Sequence, residues 1–299
     1  MIKYSIRDLE KLTGIKAHTI RMWEKRYQFL TPERTLTNIR FYSDQDLRSF
    51  LNISILNRNG FKISHIVKMK TKEINERILE ITENVHDFDN QIESLIVAMT
   101  DLDELKFDKI LTTSILKLGL ENTITQIIYP FFEKIGVLWQ IGTINPGQEH
   151  FVSSLIRQKL IIAIDGQYDP YAGNAKLFLL FLPNGEFHEI GLLYSHYLIK
   201  KSGFRVVYLS QNVPFEDLIE IAQMKPPDFL FTSFTSFITE MDLKSYIYKL
   251  SAAFPDKTIF ISGFQVHEYT IEMPKNIKQI SSSDELLAAL QSLSNTSAN

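Results

Sequence analysis

Apolar residues recur at helical spacing in the first part of the chain and at strand spacing in the second. Up to about residue 164 they fall every three or four positions, the period of helices that bury one face. From about residue 175, short apolar runs alternate with amphipathic stretches, which is typical of a parallel sheet with helices between its strands. The turn-rich segment 165–174 separates the two patterns. We therefore predict a multidomain α and α/β protein.

The N-terminal segment, residues 1–75, has the signals of short helices followed by a hairpin. Ser5 and Asp8 form a capping box that begins a helix, and Gly14 ends it. A second helix is predicted from about Ala17 to Gln28, so two helices are joined by a short turn around a glycine. The β-type run 39–42 after a polar turn predicts a small hairpin. We expect a winged helix-turn-helix.

The rest of the chain divides into a helical segment and an alternating one. Residues 76–165 are predicted to form a bundle of four or five helices. Residues 175–295 contain five strand–helix units, which predict a flavodoxin-like (Rossmann-type) parallel sheet with strand order 2-1-3-4-5. The predicted strands are 176–182, 205–209, 228–233, 257–262 and 277–280.

Composition excludes several classes of protein. The chain has 299 residues and no cysteine, so it cannot form disulfides, thiolate metal sites or a cysteine nucleophile. Its first residues lack the pattern of a signal peptide, and its apolar runs are far shorter than the ~20 residues that span a bilayer. We expect a cytoplasmic protein with no membrane partner.

The net charge of −3 hides two segments of opposite sign. Residues 1–75 carry 15 Lys and Arg against 7 Asp and Glu, a balance of +8. Residues 76–299 carry 17 basic and 28 acidic side chains, a balance of −11. Because a basic surface attracts polyanions and an acidic one repels them, the first segment is expected to bind nucleic acid.

Basic and polar side chains on the second helix and in the wing are the candidate DNA contacts. Arginine can read guanine in the major groove, while lysine and hydroxyl groups reach phosphates. The candidates are His18, Thr19, Arg21, Lys25, Arg26, Tyr27, Arg34, Asn38, Arg40 and Tyr42.

Six short motifs follow one another through this segment. They are Tyr4-Ser5-Ile6, Thr13-Gly14-Ile15, the run from Thr19 to Tyr27, Pro32-Glu33-Arg34, Arg40-Phe41-Tyr42-Ser43 and Asn59-Gly60-Phe61-Lys62-Ile63. Together they resemble the DNA-binding domain of the MerR family, although residues 35–38 lack the glycine that the family tends to have in the wing. The resemblance implies a bacterial, nucleoid-associated regulator, not an enzyme, that binds double-stranded operator DNA as a dimer or tetramer.

A second motif follows the first strand of the α/β segment. His188 lies in a loop at the carboxyl edge of the predicted sheet, where such sheets bind ligands, and Glu186 is close enough to orient its imidazole. The order Glu186-x-His188-x-x-Gly191 resembles the Asp-x-His-x-x-Gly signature of cobalamin-binding domains. That resemblance implies that His188 is the lower axial ligand of cobalt and that Gly191 clears a slot for the nucleotide tail.

Two further positions match the cobalamin-binding pattern by spacing. Ser233 lies 42 residues after Gly191, and Gly263 lies 30 residues after Ser233. The family has Ser-x-Leu and Gly-Gly there, so Thr235 and Ser262 depart from it. Both positions end predicted strands beside the first strand, so we expect the loops to converge on one crevice.

A third motif lies in the helical segment. Trp139 is followed by nine residues and then by Glu149 and His150. This spacing resembles the signature of the CarH/LitR photoreceptor branch of the MerR family. The resemblance implies adenosylcobalamin between bundle and sheet, with Trp139 against its adenosyl group and His150 as a possible upper cobalt ligand after light; methylcobalamin and hydroxocobalamin are further candidates.

The resemblance also implies that light disassembles the dark oligomer and releases operator DNA, so that the protein is a light-sensing repressor. Two alternatives stay open. A MerR-type regulator could sense cobalamin abundance or a protein partner without photochemistry, and a corrinoid carrier of methyl groups would share the bundle and His188 but not the DNA-binding segment. A phosphorylated receiver domain is excluded because residues 231–234 contain no Asp, and a dinucleotide enzyme because residues 183–186 lack a glycine-rich turn.

Overall fold

The computed structural model describes residues 4–27, 32–34, 40–82, 88–140, 144–167, 175–236 and 238–295. The chain divides into two compact units, Met1–Leu155 and Ile156–Asn299. No helix in these described ranges is long and apolar enough to cross a membrane.

In the N-terminal part of the first unit, the described residues form four helices and a two-stranded hairpin. They are α1 (Ile6–Thr13), α2 (Ala17–Tyr27), β1 (Glu33–Arg34), β2 (Arg40–Phe41), α3 (Asp44–Arg58) and α4 (Ile63–Ile66). The predicted capping box is present, because the Ser5 hydroxyl accepts from the Asp8 amide and the Asp8 carboxylate accepts from the Ser5 amide. The two strands pair antiparallel, which confirms the predicted wing.

The remainder of the first unit is a helical bundle. Its elements are α5 (Thr71–Thr82), α6 (Phe88–Asp101), α7 (Glu104–Leu118), α8 (Leu120–Thr123), a π-helix (Ile124–Ile128), α9 (Tyr129–Gln140) and the start of α10 (Pro146–Asp165). Helix α6 is its central element, since every residue from Asn90 to Thr100 is buried. The Phe107 and Phe131 rings pack edge to face in its core, with centroids 5.8 Å apart.

The second unit is a parallel sheet with helices between its strands. Its strands are β3 (Leu177–Phe181), β4 (Arg205–Tyr208), β5 (Phe229–Ser233), β6 (Thr258–Ser262) and β7 (Ile277–Gln279). Its helices after α10 are α11 (Ile190–Lys201), α12 (Phe215–Met224), α13 (Glu240–Ala253), α14 (Phe264–Glu268) and α15 (Ser283–Asn295). The order β4-β3-β5-β6-β7 confirms the predicted 2-1-3-4-5 topology.

The register of the sheet determines which loops are neighbours. Strand β3 lies between β4 and β5, with Phe181 opposite Thr232. Strand β5 then pairs with β6, with Ser233 opposite Ser262. Because the strands are parallel, the segments that follow β3, β5 and β6 emerge at the same edge of the sheet.

Candidate functional site

The loop that carries His188 connects β3 to α11 at the carboxyl edge of the sheet. The His188 side chain is 55% exposed, whereas the Glu186 side chain is only 6% exposed. His188 Nδ1 lies 2.8 Å from Glu186 Oε1, and the His188 amide donates to the same oxygen at 2.9 Å. The buried carboxylate therefore holds both the backbone and the ring of the histidine.

The segment after β5 completes the environment of Glu186. The Thr235 and Ser236 amides donate to Glu186 Oε2 at 2.7 and 2.6 Å, and the Ser236 hydroxyl donates to Oε1 at 2.8 Å. Ser236 Oγ also lies 3.0 Å from His188 Nδ1. Ser236 was not among the predicted site residues, and its only signal in the sequence is its position three residues after Ser233, which ends a strand.

Two opposing effects set the pKa of Glu186. Burial raises the pKa, but the hydrogen bonds from His188 and Ser236 stabilise the carboxylate and lower it to about 2. Glu186 is thus ionised throughout the physiological pH range. A carboxylate at Nδ1 favours the tautomer with its proton on that nitrogen, which gives Nε2 the lone pair that a metal ligand requires.

The two glycines of the predicted cofactor pattern differ in their surroundings. A Cβ on Gly191, in the first turn of α11, would meet no atom within 4 Å beyond the helix's own backbone. Gly263, between β6 and α14, has φ 103° and ψ 160°, a conformation essentially restricted to glycine. A Cβ there would lie 2.6 Å from the Phe234 nitrogen and 2.7 Å from its carbonyl carbon. Gly191 thus borders open space, and Gly263 allows two loops to pack closely.

Ser233 lies at the end of β5 and is buried. It pairs in register with Ser262, the residue before Gly263. The structure therefore brings together the loop of Glu186, His188 and Gly191 with the segments of Ser233 and Gly263, as the topology predicted. These residues fit a cofactor that takes one imidazole ligand and needs room beside a helix N-terminus.

The third motif lies at the end of α9 and in the first turn of α10. Glu149 is half-buried, with Oε1 accepting from the Ser153 hydroxyl at 3.3 Å, and His150 is exposed. The Trp139 side chain lies outside the described part of the structure, so its predicted role stays a prediction.

Helix α2 has one buried and one exposed face, as expected for a helix that contacts DNA. Ile20 and Trp23 are buried in the core. The exposed residues among the candidate contacts are His18, Arg21, Lys25, Arg26 and, in the wing, Arg34. Thr19 and Tyr27 are half-buried, and Asn38 lies outside the described residues.

The assignment of Tyr42 as a DNA contact is wrong. Its ring is fully buried and packs edge to face on Phe50, and its hydroxyl donates to the carboxylate of Glu24, which is itself buried. Arg40 Nε lies 3.3 Å from the other oxygen of Glu24. Burial and the neighbouring Glu24 charge raise the pKa of Tyr42 above its ordinary value. Tyr42 is a core residue that attaches the wing to α2.

Comparisons with known families match two segments of the chain. Residues 4–73 match the MerR HTH family regulatory protein family, and residues 91–163 match the B12 binding domain family. The second match lies on the helices of the bundle, from α6 to α10.

Similar proteins cover most of the chain. The HTH-type transcriptional repressor CarH of Myxococcus xanthus is 28% identical over 84% of this chain and 85% of its own length. The HTH-type transcriptional repressor CarA of the same organism is 25% identical over 95% of both chains. The Methanosarcina barkeri monomethylamine corrinoid protein shares the fold, with a TM-score of 0.52 and 15% identity over 73% of this chain and 99% of its own. The chain thus combines a segment that matches the MerR helix-turn-helix family with a segment that matches the B12 binding domain family.

Proposed function

We propose that this chain is a transcriptional repressor, not an enzyme, whose operator binding is controlled by bound adenosylcobalamin. The proposal includes light sensing, with loss of the oligomer and of DNA binding on illumination. The observation that carries it is the contact of His188 with Glu186 and Ser236, in a chain that also has a MerR-type helix-turn-helix. The two Myxococcus xanthus relatives, both transcriptional repressors, support the regulatory part.

Bound adenosylcobalamin would supply a cobalt–carbon bond that light can break. His188 would ligate cobalt through Nε2, while Glu186 and Ser236 hold its ring in place. Gly191 would admit the nucleotide tail, because a side chain there would occupy the open space at the N-terminus of α11. We assign Trp139, Glu149 and His150 to the upper ligand, with His150 a possible cobalt ligand after light.

DNA binding is assigned to the exposed side of α2 and to the wing. Arg21, Lys25 and Arg26 are exposed on this helix, whereas Ile20 and Trp23 are buried. A ligand can control this surface only if it binds the DNA-competent assembly and the released one with different affinity. Adenosylcobalamin would therefore stabilise the operator-bound oligomer, and photolysis would remove that preference.

Size-exclusion chromatography of the full-length protein, in the dark and after green light, tests the proposal. With adenosylcobalamin the dark sample is expected to elute as a dimer or tetramer and to retain operator DNA in a gel-shift assay. Illumination is expected to shift elution toward the monomer and to release the DNA. An unchanged elution volume with bound cofactor would contradict light sensing and favour a regulator that senses cobalamin abundance or a protein partner.

Replacing His188 with alanine is expected to weaken cobalamin binding by about 10- to 100-fold, because the cobalt loses its protein ligand and Glu186 loses the group that it orients. Absorbance titration with hydroxocobalamin measures the affinity and reports whether histidine or the cofactor's own base is bound. His267→Ala, at an exposed histidine that contacts Gln279, is the matched control and should bind normally. A histidine-ligated spectrum in the His188 variant would refute the assignment.

A further inference from the structure

Glu189, the residue after His188, is a buried carboxylate with three side-chain partners. Its Oε2 accepts from the hydroxyls of Tyr208 and Ser210, each at 3.0 Å. Its Oε1 lies 2.6 Å from Nε of Arg157, which is half-exposed. Glu189 also precedes the first residue of α11, and its carbonyl accepts from the Leu193 amide at 2.8 Å. The position of this carboxylate therefore determines where the loop of His188 joins the helix.

The loop after β4 holds the same segment through an unusual backbone. Ser210 and Asn212 have φ of 66° and 59°, in the left-handed region that residues other than glycine seldom adopt. In this conformation the Asn212 amide donates to the Glu186 carbonyl at 3.1 Å, and its side-chain oxygen accepts from Gly185 at 2.8 Å. Such strain persists where surrounding contacts over-determine it and is common at functional sites. The His188 loop is thus fixed to a constrained neighbour.

Arg157 joins this rigid assembly to α10. That helix has 20 residues, and Glu149 and His150 lie in its first turn. The boundary between the two compact units falls between Leu155 and Ile156, immediately before Arg157. Arg157 follows His150 by seven residues, two turns later on the same face of this continuous helix. The ion pair therefore links the helix that carries His150 to Glu189.

The chemistry of the pair allows it to break and re-form. If Arg157 withdraws, Glu189 retains two hydroxyl donors, so its buried carboxylate is not left without partners. Arg157 itself is half-exposed and can be hydrated when it leaves. This ion pair can therefore open without leaving a buried charge unpartnered, so a ligand can shift it between its open and closed states. A fully buried ion pair would be costly to open.

We propose that Arg157 is a positioning residue, which couples α10 to the cobalt-ligand loop through its ion pair with Glu189. This inference rests on the proposed function, because it takes His188 as the cobalt ligand and α10 as the helix that senses the upper ligand. It adds a route by which a change at the first turn of α10 reaches the loop that holds cobalt.

The test compares Arg157→Met and Arg157→Lys in the full-length protein. Absorbance titration in the dark measures the cofactor dissociation constant. Size-exclusion chromatography measures the response, which is the change in elution volume when adenosylcobalamin is added and again when the sample is illuminated. For Arg157→Met we expect a histidine-ligated spectrum and a dissociation constant within about threefold of wild type. At saturating cofactor, the protein concentration at which half of the sample elutes as the oligomer should rise about tenfold, which is an ordinary coupling between sites. Arg157→Lys, which keeps the charge, should restore most of the response.

Two further variants keep the test decisive. Glu189→Gln removes the charge but can still accept from Tyr208 and Ser210, and its effect should not add to that of Arg157→Met in the double variant. Lys249→Met, which breaks an exposed ion pair with Glu216 in the same unit, should leave the response unchanged. A normal response in both Arg157→Met and Glu189→Gln would overturn the inference. A wild-type protein that binds no cobalamin would instead defeat the proposed function.

Discussion

Replacing Gly263 with alanine is expected to lower the free energy of unfolding of the α/β unit by about 3 kcal/mol or more. The backbone conformation at this position costs a residue with a Cβ about 1–3 kcal/mol, and the added methyl group would overlap the Phe234 backbone, where overpacking costs a similar amount. The Phe234 amide donates to the Ser262 carbonyl, and the Phe234 carbonyl accepts from the Gln265 amide. The Phe234 backbone therefore cannot easily move away from the added methyl group. Urea denaturation followed by circular dichroism measures the change.

Gly191→Ala is the matched control, and its two effects should have opposite signs. The new methyl group meets open space, and alanine is favoured over glycine in a helix by roughly 1 kcal/mol, so stability should stay the same or rise. Cobalamin affinity should fall, because the methyl group enters the space assigned to the nucleotide tail. Equal stability of wild type and Gly263→Ala would contradict the close approach of the two loops.

Replacing Arg58 with methionine is expected to destabilise the first unit by about 3 kcal/mol, because a buried carboxylate loses its cation. Arg58 ends α3 and lies 2.5 Å from Glu93 Oε1, whose side chain is 1% exposed in the centre of α6. The same guanidinium contacts the Ser54 hydroxyl at 2.9 Å. Thermal and urea unfolding measure the loss. Arg77→Met, which breaks an exposed pair with Glu80, should leave the unfolding midpoint nearly unchanged.

The same pair predicts a pH dependence. Burial raises the pKa of Glu93 from 4.5 to about 7, despite the opposing effect of Arg58. Between these values the folded protein holds a proton that the unfolded chain releases, so the contribution of Glu93 to stability falls as pH rises from 4.5 to about 7. In Arg58→Met the decline should extend to higher pH, since the opposing cation is gone. A pH profile identical to that of Arg77→Met would refute this account.

The local and periodic features could be predicted from sequence. The capping box at Ser5 depends on residues three positions apart, and the strand order follows from alternating strands and helices, so the sequence predicts both. The pairing of His188 with Glu186 could also be predicted, because two residues separated by one position lie in the same loop.

The contacts between segments that are distant along the chain could not be predicted from the sequence. Ser236 reaches His188 from 48 residues away, and Arg58 reaches Glu93 across 35. No periodicity marks which of several hydroxyls or acids completes such a pair. Tyr42 was misassigned because a motif position does not reveal whether an aromatic ring points to the core or to solvent.

The attachment of the wing to α2 has a consequence for how operator preference can evolve. Tyr42 and Arg40 converge on Glu24, a buried residue of α2, whereas Arg21 and Lys25 of the same helix are exposed. The exposed side chains of α2 that would read bases are therefore not the ones that attach this helix to the wing. Mutations can change the exposed side chains of α2 while the contacts of Glu24 with Tyr42 and Arg40 stay intact. Related repressors can therefore diverge in target sequence without a change in the fold of the domain.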